Sequence, residues 1–199
     1  MALLLMLAFS SCQSFIMGLA GMHQPRLVED SEVMRLAKKF DIPEGDLFRL
    51  GVPYRDWLKG IDTLQHSLER KHRYQPLQAL YFDRNRQISS YHINCNATGF
   101  PNLTWDRDSI LASFPPRQQT EPDSLLPFES HLKFLRRFAK SNPLELSDYD
   151  YVVIVHWTTW MGRQSKRLIH FVQENAKLAG NLKVRILFVN GDEIYSTSS

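Results

Sequence analysis

The order of apolar patterns along the chain predicts an α/β protein with a central βαβ unit, preceded by an N-terminal helical and hairpin region. Tyr151-Val152-Val153-Ile154-Val155-His156 is a short β-branched run and Leu182–Val189 is a second. Roughly 25 residues of helical period separate them. A run as continuously apolar as Val152–Val155 suits a parallel strand covered on both faces.

With 199 residues the chain can bury one good core and a smaller appended layer. Its apolar fraction of 43% is ordinary for a folded protein. The net charge is only +3 and the basic residues are interspersed with acidic ones, so a nucleic-acid partner is not expected. Two cysteines, Cys12 and Cys95, make neither a disulfide-rich scaffold nor a CxxC pair. No phosphate loop, dinucleotide fingerprint or spaced metal cluster is present, so no cofactor is expected. His23, His66, His131 and His170 form no metal-ligand spacing with their neighbours.

Ala2–Phe9 is an apolar run too short to span a bilayer but of the length of a signal-peptide core, and Ser10-Ser11-Cys12 follows at once. Small residues just ahead of a cysteine resemble the bacterial lipobox, which implies lipidation at Cys12. No Lys or Arg precedes the run, unlike an ordinary signal peptide; a buried N-terminal strand or helix is the alternative. Asp62-Thr63-Leu64, Asp108-Ser109-Ile110 and Asp123-Ser124-Leu125 each resemble the O-glycosylation acceptor of exported proteins in Bacteroidetes-like bacteria. Asn96-Ala97-Thr98 and Asn102-Leu103-Thr104 match the N-glycosylation sequon. The expected organisation is a signal segment and linker over 1–22, a helical region over 23–75 and a sheet-bearing domain over 76–199.

Within the helical region, Val33, Leu36, Ala37 and Phe40 lie at helical spacing, with Asp30 or Ser31 as the expected cap and Pro43 and Gly45 ending the helix. A second helix is expected over Tyr54–Lys71, with Trp57, Leu58, Ile61, Leu64 and Leu68 on one side. Leu77–Phe82 and Gln87–Ile93 then read as a hairpin turned at Asp83-Arg84-Asn85-Arg86. Phe128–Phe138 reads as another helix, with Phe128, Leu132, Leu135, Phe138 and Ala139 inward, ended by Ser141-Asn142-Pro143.

The two strands of the βαβ unit are joined through Trp157-Thr158-Thr159-Trp160-Met161-Gly162-Arg163-Gln164-Ser165-Lys166, a strand-to-helix corner. The helix after it turns Leu168, Ile169, Val172, Ala176 and Ala179 inward, shows Lys166, Arg167, His170, Glu174 and Lys177 to solvent, and closes at Gly180.

Strand, corner, helix and second strand together resemble exported thioredoxin-like proteins of the TlpA and thiol-disulfide oxidoreductase type. In that family the corner reads Trp-x-x-Trp-Cys-Gly-Pro-Cys followed by Arg or Lys. Trp157, Trp160, Gly162 and Lys166 match; Met161 and Gln164 stand where the two cysteines would be, and Arg163 replaces the proline. The likeness runs from the central strand through the second strand ending Val189-Asn190-Gly191-Asp192-Glu193, and more loosely over Leu77–Ile194. The family's cis-proline loop and closing hairpin do not follow the second strand, so a partial or truncated version of the fold is expected, with the edge beyond Leu187–Val189 covered by a partner, by the N-terminal layer or by further residues.

Disulfide exchange needs one thiolate to attack and a second thiol to resolve. A thioether and an amide do neither, so dithiol activity at this corner is excluded. The expected function is that of a non-catalytic thioredoxin-like envelope lipoprotein that binds a protein or ligand, anchored through Cys12, with another envelope protein as partner. Thr158 or Thr159 is expected to cap the helix, and an anion at the Thr159–Arg163 helix start is the associated ligand site. The alternative is a thiol-dependent enzyme or redox protein using Cys95, with His92 or His156 as base, or a partner's cysteines. Asp192 and Glu193 are expected at the same sheet end as the corner, serving turn formation and solubility.

Overall fold

The structure, a computed structural model, describes residues 21–93, 105, 109, 112–118, 126–138 and 143–196. Cys12, Cys95, both sequons and the 1–20 segment lie outside them. The described elements run α1 (Asp30–Lys39), a 3-10 turn (Glu44–Asp46), β1 (Leu47–Leu50), α2 (Val52–Gly60), α3 (Ser67–Arg73), β2 (Gln78–Phe82), β3 (Ile88–Ile93), α4 (Phe128–Lys133), β4 (Leu135–Arg137), β5 (Tyr151–Trp157), α5 (Gly162–Lys177), β6 (Val184–Asn190) and α6 (Asp192–Tyr195).

The strands form one six-stranded mixed sheet in the order β3-β2-β5-β6-β1-β4. The βαβ unit forms as expected: β5 and β6 are parallel, with Tyr151 opposite Val184 and Trp157 opposite Asn190. The hairpin also forms, β2 pairing antiparallel with both β3 and β5. Its turn closes through Asp83, whose amide donates to the Gln87 carbonyl (2.9 Å), with Arg86 at φ 61.

Alternate residues of β5 face two different cores, which is why the run had to be apolar throughout. Val153, Val155 and Trp157 pack with Val33 and Ala37 of α1 and with Leu168, Ile169 and Val172 of α5. Val152 and Ile154 pack with Tyr54 and Leu58 of α2, Phe128 of α4 and Ile194 of α6. The sheet is therefore the middle of three layers, and each large apolar side chain it buries contributes about 1.5–3 kcal/mol of transfer free energy.

Two helix extents and one set of caps are corrected, and one strand is added to those read from the sequence. Leu47–Leu50, unassigned from sequence, is a strand lying parallel to β6, so the N-terminal layer covers the edge beyond Leu187–Val189. The helix expected over Phe128–Phe138 stops at Lys133, and Leu135, Arg136 and Arg137 pair antiparallel with Leu50, Arg49 and Phe48. Backbone pairing with an open edge outweighs helical propensity there. The helix expected over Tyr54–Lys71 breaks at Gly60, and the Asp62 carboxylate takes the Leu64 amide (2.8 Å) to form a turn. Leu64, placed inward by the helical pattern, is 94% exposed. The caps expected for α1 are also absent: Glu29 stands at the N-cap position without a side-chain bond, and Asp30 is bonded to Arg49 instead (2.6 Å).

Candidate functional site

The three parallel strands end together, and the chemistry of this end comes from Trp157 at the end of β5, Asn190 at the end of β6 and Arg49 near the end of β1. Such an end, outside the carboxyl termini of parallel strands, is where α/β folds place their sites. The corner lies there between β5 and α5, as its residues predicted.

Trp157 is fully buried, with its ring edge-on to Phe40 at 5.8 Å. Thr158 is also buried, and Ser165 from the first turn of α5 locks it: the Ser165 hydroxyl donates to the Thr158 carbonyl (2.6 Å), and the Thr158 amide donates to Ser165 Oγ (3.2 Å). Met161 is 3% exposed and belongs to the same core as Trp157, so its thioether faces apolar neighbours. Gln164 is likewise buried, with its Oε1 unpartnered among the described residues. Neither threonine caps α5: Met161 is the N-cap residue and no side-chain cap bond forms.

Asp192 holds the corner from below. It is fully buried, and both carboxylate oxygens accept from the Thr159 amide, at 2.9 and 3.2 Å. The Asn190 side-chain amide donates to Oδ2 at 2.8 Å, and the Gly191 amide closes onto the Trp157 carbonyl at 2.8 Å. Burial raises the Asp192 pKa, and the bonds from Asn190 and Thr159, with the charge of Arg49, oppose that rise. The carboxylate expected to aid solubility is thus an internal clamp between the strand ends. It also takes the Thr159 amide, so that donor is already engaged where an anion was expected at Thr159–Arg163. Glu193 alongside pairs with Arg136 at 3.0 Å.

At the surface Trp160 is half-buried and stands edge-on to Tyr195 (6.1 Å), which is in turn edge-on to Tyr74 (6.2 Å). The Tyr195 hydroxyl donates to the Tyr74 carbonyl at 3.1 Å. Tyr74 is 39% exposed. This aromatic row was not anticipated. The corner tryptophan was visible in the sequence, but nothing local told that Tyr195 would stand against it and Tyr74 against Tyr195.

The histidines named as alternative bases lie on opposite sides of the sheet. His92 is beside Tyr81 and α5, with Ser90 Oγ 2.8 Å from its Nε2, and burial lowers its pKa to about 4. His156 faces Tyr54 on the other side, where burial, then the Arg73 charge, lowers its pKa to about 3. His131, in the same layer, is lowered well below the ordinary value by burial, Arg73 and His156. Bases so depressed and enclosed stay neutral at physiological pH.

Among the described residues no group of His, Cys, Asp and Glu could hold a metal ion, and no helix is long and apolar enough to cross a membrane. A cavity of about 540 Å³ lies at the far end of the strands, between Arg137, Leu144, Tyr149 and Lys183, away from the corner. In comparisons with known proteins, no family model, curated protein or solved structure matches this chain.

Proposed function

We propose that this chain is a non-catalytic thioredoxin-like protein whose corner binds a protein partner. One observation carries the reading: Met161 and Gln164 occupy the start of α5, at the strand-to-helix corner, with a buried carboxylate bonded to the backbone beneath them. The antiparallel hairpin that follows the second strand in the resembled family is matched on β5 by residues that precede it, which supports a thioredoxin-like sheet assembled from a different chain order. The Trp160, Tyr195 and Tyr74 row supports binding, because part-exposed aromatic side chains are enriched where proteins associate. In this reading the chain is exported to the cell envelope and anchored through Cys12, and its partner is another envelope protein.

The test restores what is missing. Met161→Cys with Gln164→Cys, in a chain whose Cys12 and Cys95 are replaced by serine, puts two thiols three residues apart on one helix face. The variant is expected to form an internal disulfide and to reduce insulin, while the unaltered corner reduces none. Thiols that stay free under oxidising glutathione, or a disulfide inert to exchange, would overturn the reading.

A further inference from the structure

Residues 21–28 cross the corner without regular secondary structure. Among the described residues their backbone is tied to the fold at two places. The His23 amide donates to the Trp160 carbonyl at 2.8 Å, and the Val28 carbonyl accepts from the buried Arg49 guanidinium at 3.4 and 3.5 Å. Met22 packs against the core that contains Trp157 and Met161. Gly21, at φ 68, lies so close to Arg163 that a Cβ there would stand 2.9 Å from the Arg163 Cβ. Arg26 pairs with Glu32 at 2.7 Å.

The segment buries little. His23, Gln24, Arg26 and Leu27 are exposed, Leu27 by 65%, and only Val28 is fully enclosed. Few apolar contacts and a single tie to the corner backbone put a segment at the low end of local stability, where opening does not require global unfolding. The Trp160 carbonyl and the apolar edge beside Met161 are nevertheless the surface that a bound polypeptide would use.

We infer that residues 21–28 form a displaceable strap over the Trp160–Met161 face, occupying in cis the place of an extended polypeptide segment, so that strap and partner compete. The inference rests on the binding reading above. Its physical content is a population: a partner's apparent affinity falls in proportion to the fraction of molecules in which the strap is open.

Two measurements on the full chain test it. In amide hydrogen exchange, the His23 amide is expected to exchange about a hundredfold faster than the amides of β5, by local opening that denaturant does not accelerate. A fluorescein-labelled peptide with the sequence of residues 20–29 is expected to bind His23→Pro, which lacks the donating N–H, and Met22→Asp about tenfold more tightly than the unaltered chain. Exchange of His23 together with β5 in one cooperative step refutes the strap, and so does equal peptide binding by all three chains. If His23 is as protected as β5 but the restored dithiol cycles, the strap fails and the corner reading stands. If the strap opens and admits peptide but the restored dithiol is inert, the corner reading fails instead.

Discussion

Acid should unfold this protein through its buried histidines. His92 and His156 are held neutral, with pKa values lowered to about 4 and about 3, and His131 moves in the same direction. For a base depressed by folding, the unfolded chain takes up the proton first. The stability is therefore complete above the unfolded value and is lost as pH falls below it. Taking about 6.5 for an unfolded histidine, a fall to about pH 5 removes about 2 kcal/mol for each of His92 and His156, about 4 kcal/mol together. His131 adds to the loss. Against a total stability of about 5–15 kcal/mol for an ordinary domain, that is a large share. Asp192 and Asp46 act in the opposite sense: burial raises both, so the folded state binds their protons first and recovers some stability as pH falls through those raised values. Urea unfolding followed by circular dichroism between about pH 8 and about pH 5 measures the balance. His156→Phe, which keeps a ring beside Tyr54, should roughly halve the loss attributed to His92 and His156. An unfolding free energy as high at the acid end as at the alkaline end, or a His156→Phe curve parallel to that of the unaltered chain, would refute the reasoning.

Two further outcomes follow from burial. Asp192→Ala leaves the Thr159 amide and the Asn190 side-chain amide without their shared acceptor, and should cost about 2–4 kcal/mol in urea unfolding, with faster exchange of the Thr159 amide. Leu58 and Leu64 were expected on one helix face, yet Leu58 is fully buried and Leu64 is 94% exposed. Leu58→Ala should therefore cost about 2–5 kcal/mol, and Leu64→Ala no more than about 0.5 kcal/mol; similar costs at the two positions would contradict the break after Gly60.

Much of the fold was legible where one face of the pattern had to be apolar. The apolar and aromatic residues of β2 and β3 either side of a turn, the unbroken run of β5 and the helical period of α5 each report burial by a nearby surface, and each element formed where its pattern placed it. The helix expected to close at Gly180 ends at Lys177 with Leu178 as its C-cap, and Gly180 turns the chain just beyond it at φ 62, a conformation glycine adopts without a side-chain penalty. The elements that were missed are short. Leu47–Leu50 carries no readable period in four residues. Leu135–Arg137 fits a helix as well as a strand until β1 offers it an edge. At the candidate site, Trp157, Trp160, Met161, Gly162, Arg163 and Gln164 were identified together because they are consecutive or nearly so. Asp192 was placed at the correct sheet end and in a turn, but its expected share in solubility fails because it is buried, since the Asn190-Gly191-Asp192 turn looks the same in sequence whether its carboxylate faces water or the Thr159 amide.

By itself, then, the amino-acid order determined the βαβ unit, its corner, and the lack of a thiol at Met161 and Gln164, because these depend on neighbours along the chain and on the chemistry of single side chains. Only the folded molecule decided that β1 and β4 extend the sheet, that Asp192 is sealed beneath the corner, that Tyr74 and Tyr195 form a row with Trp160, and that residues 21–28 pass over it. Each of those joins residues far apart in the chain. Such contacts are selected by the pairing of open strand edges and by the exclusion of water from polar groups that only three-dimensional packing brings together.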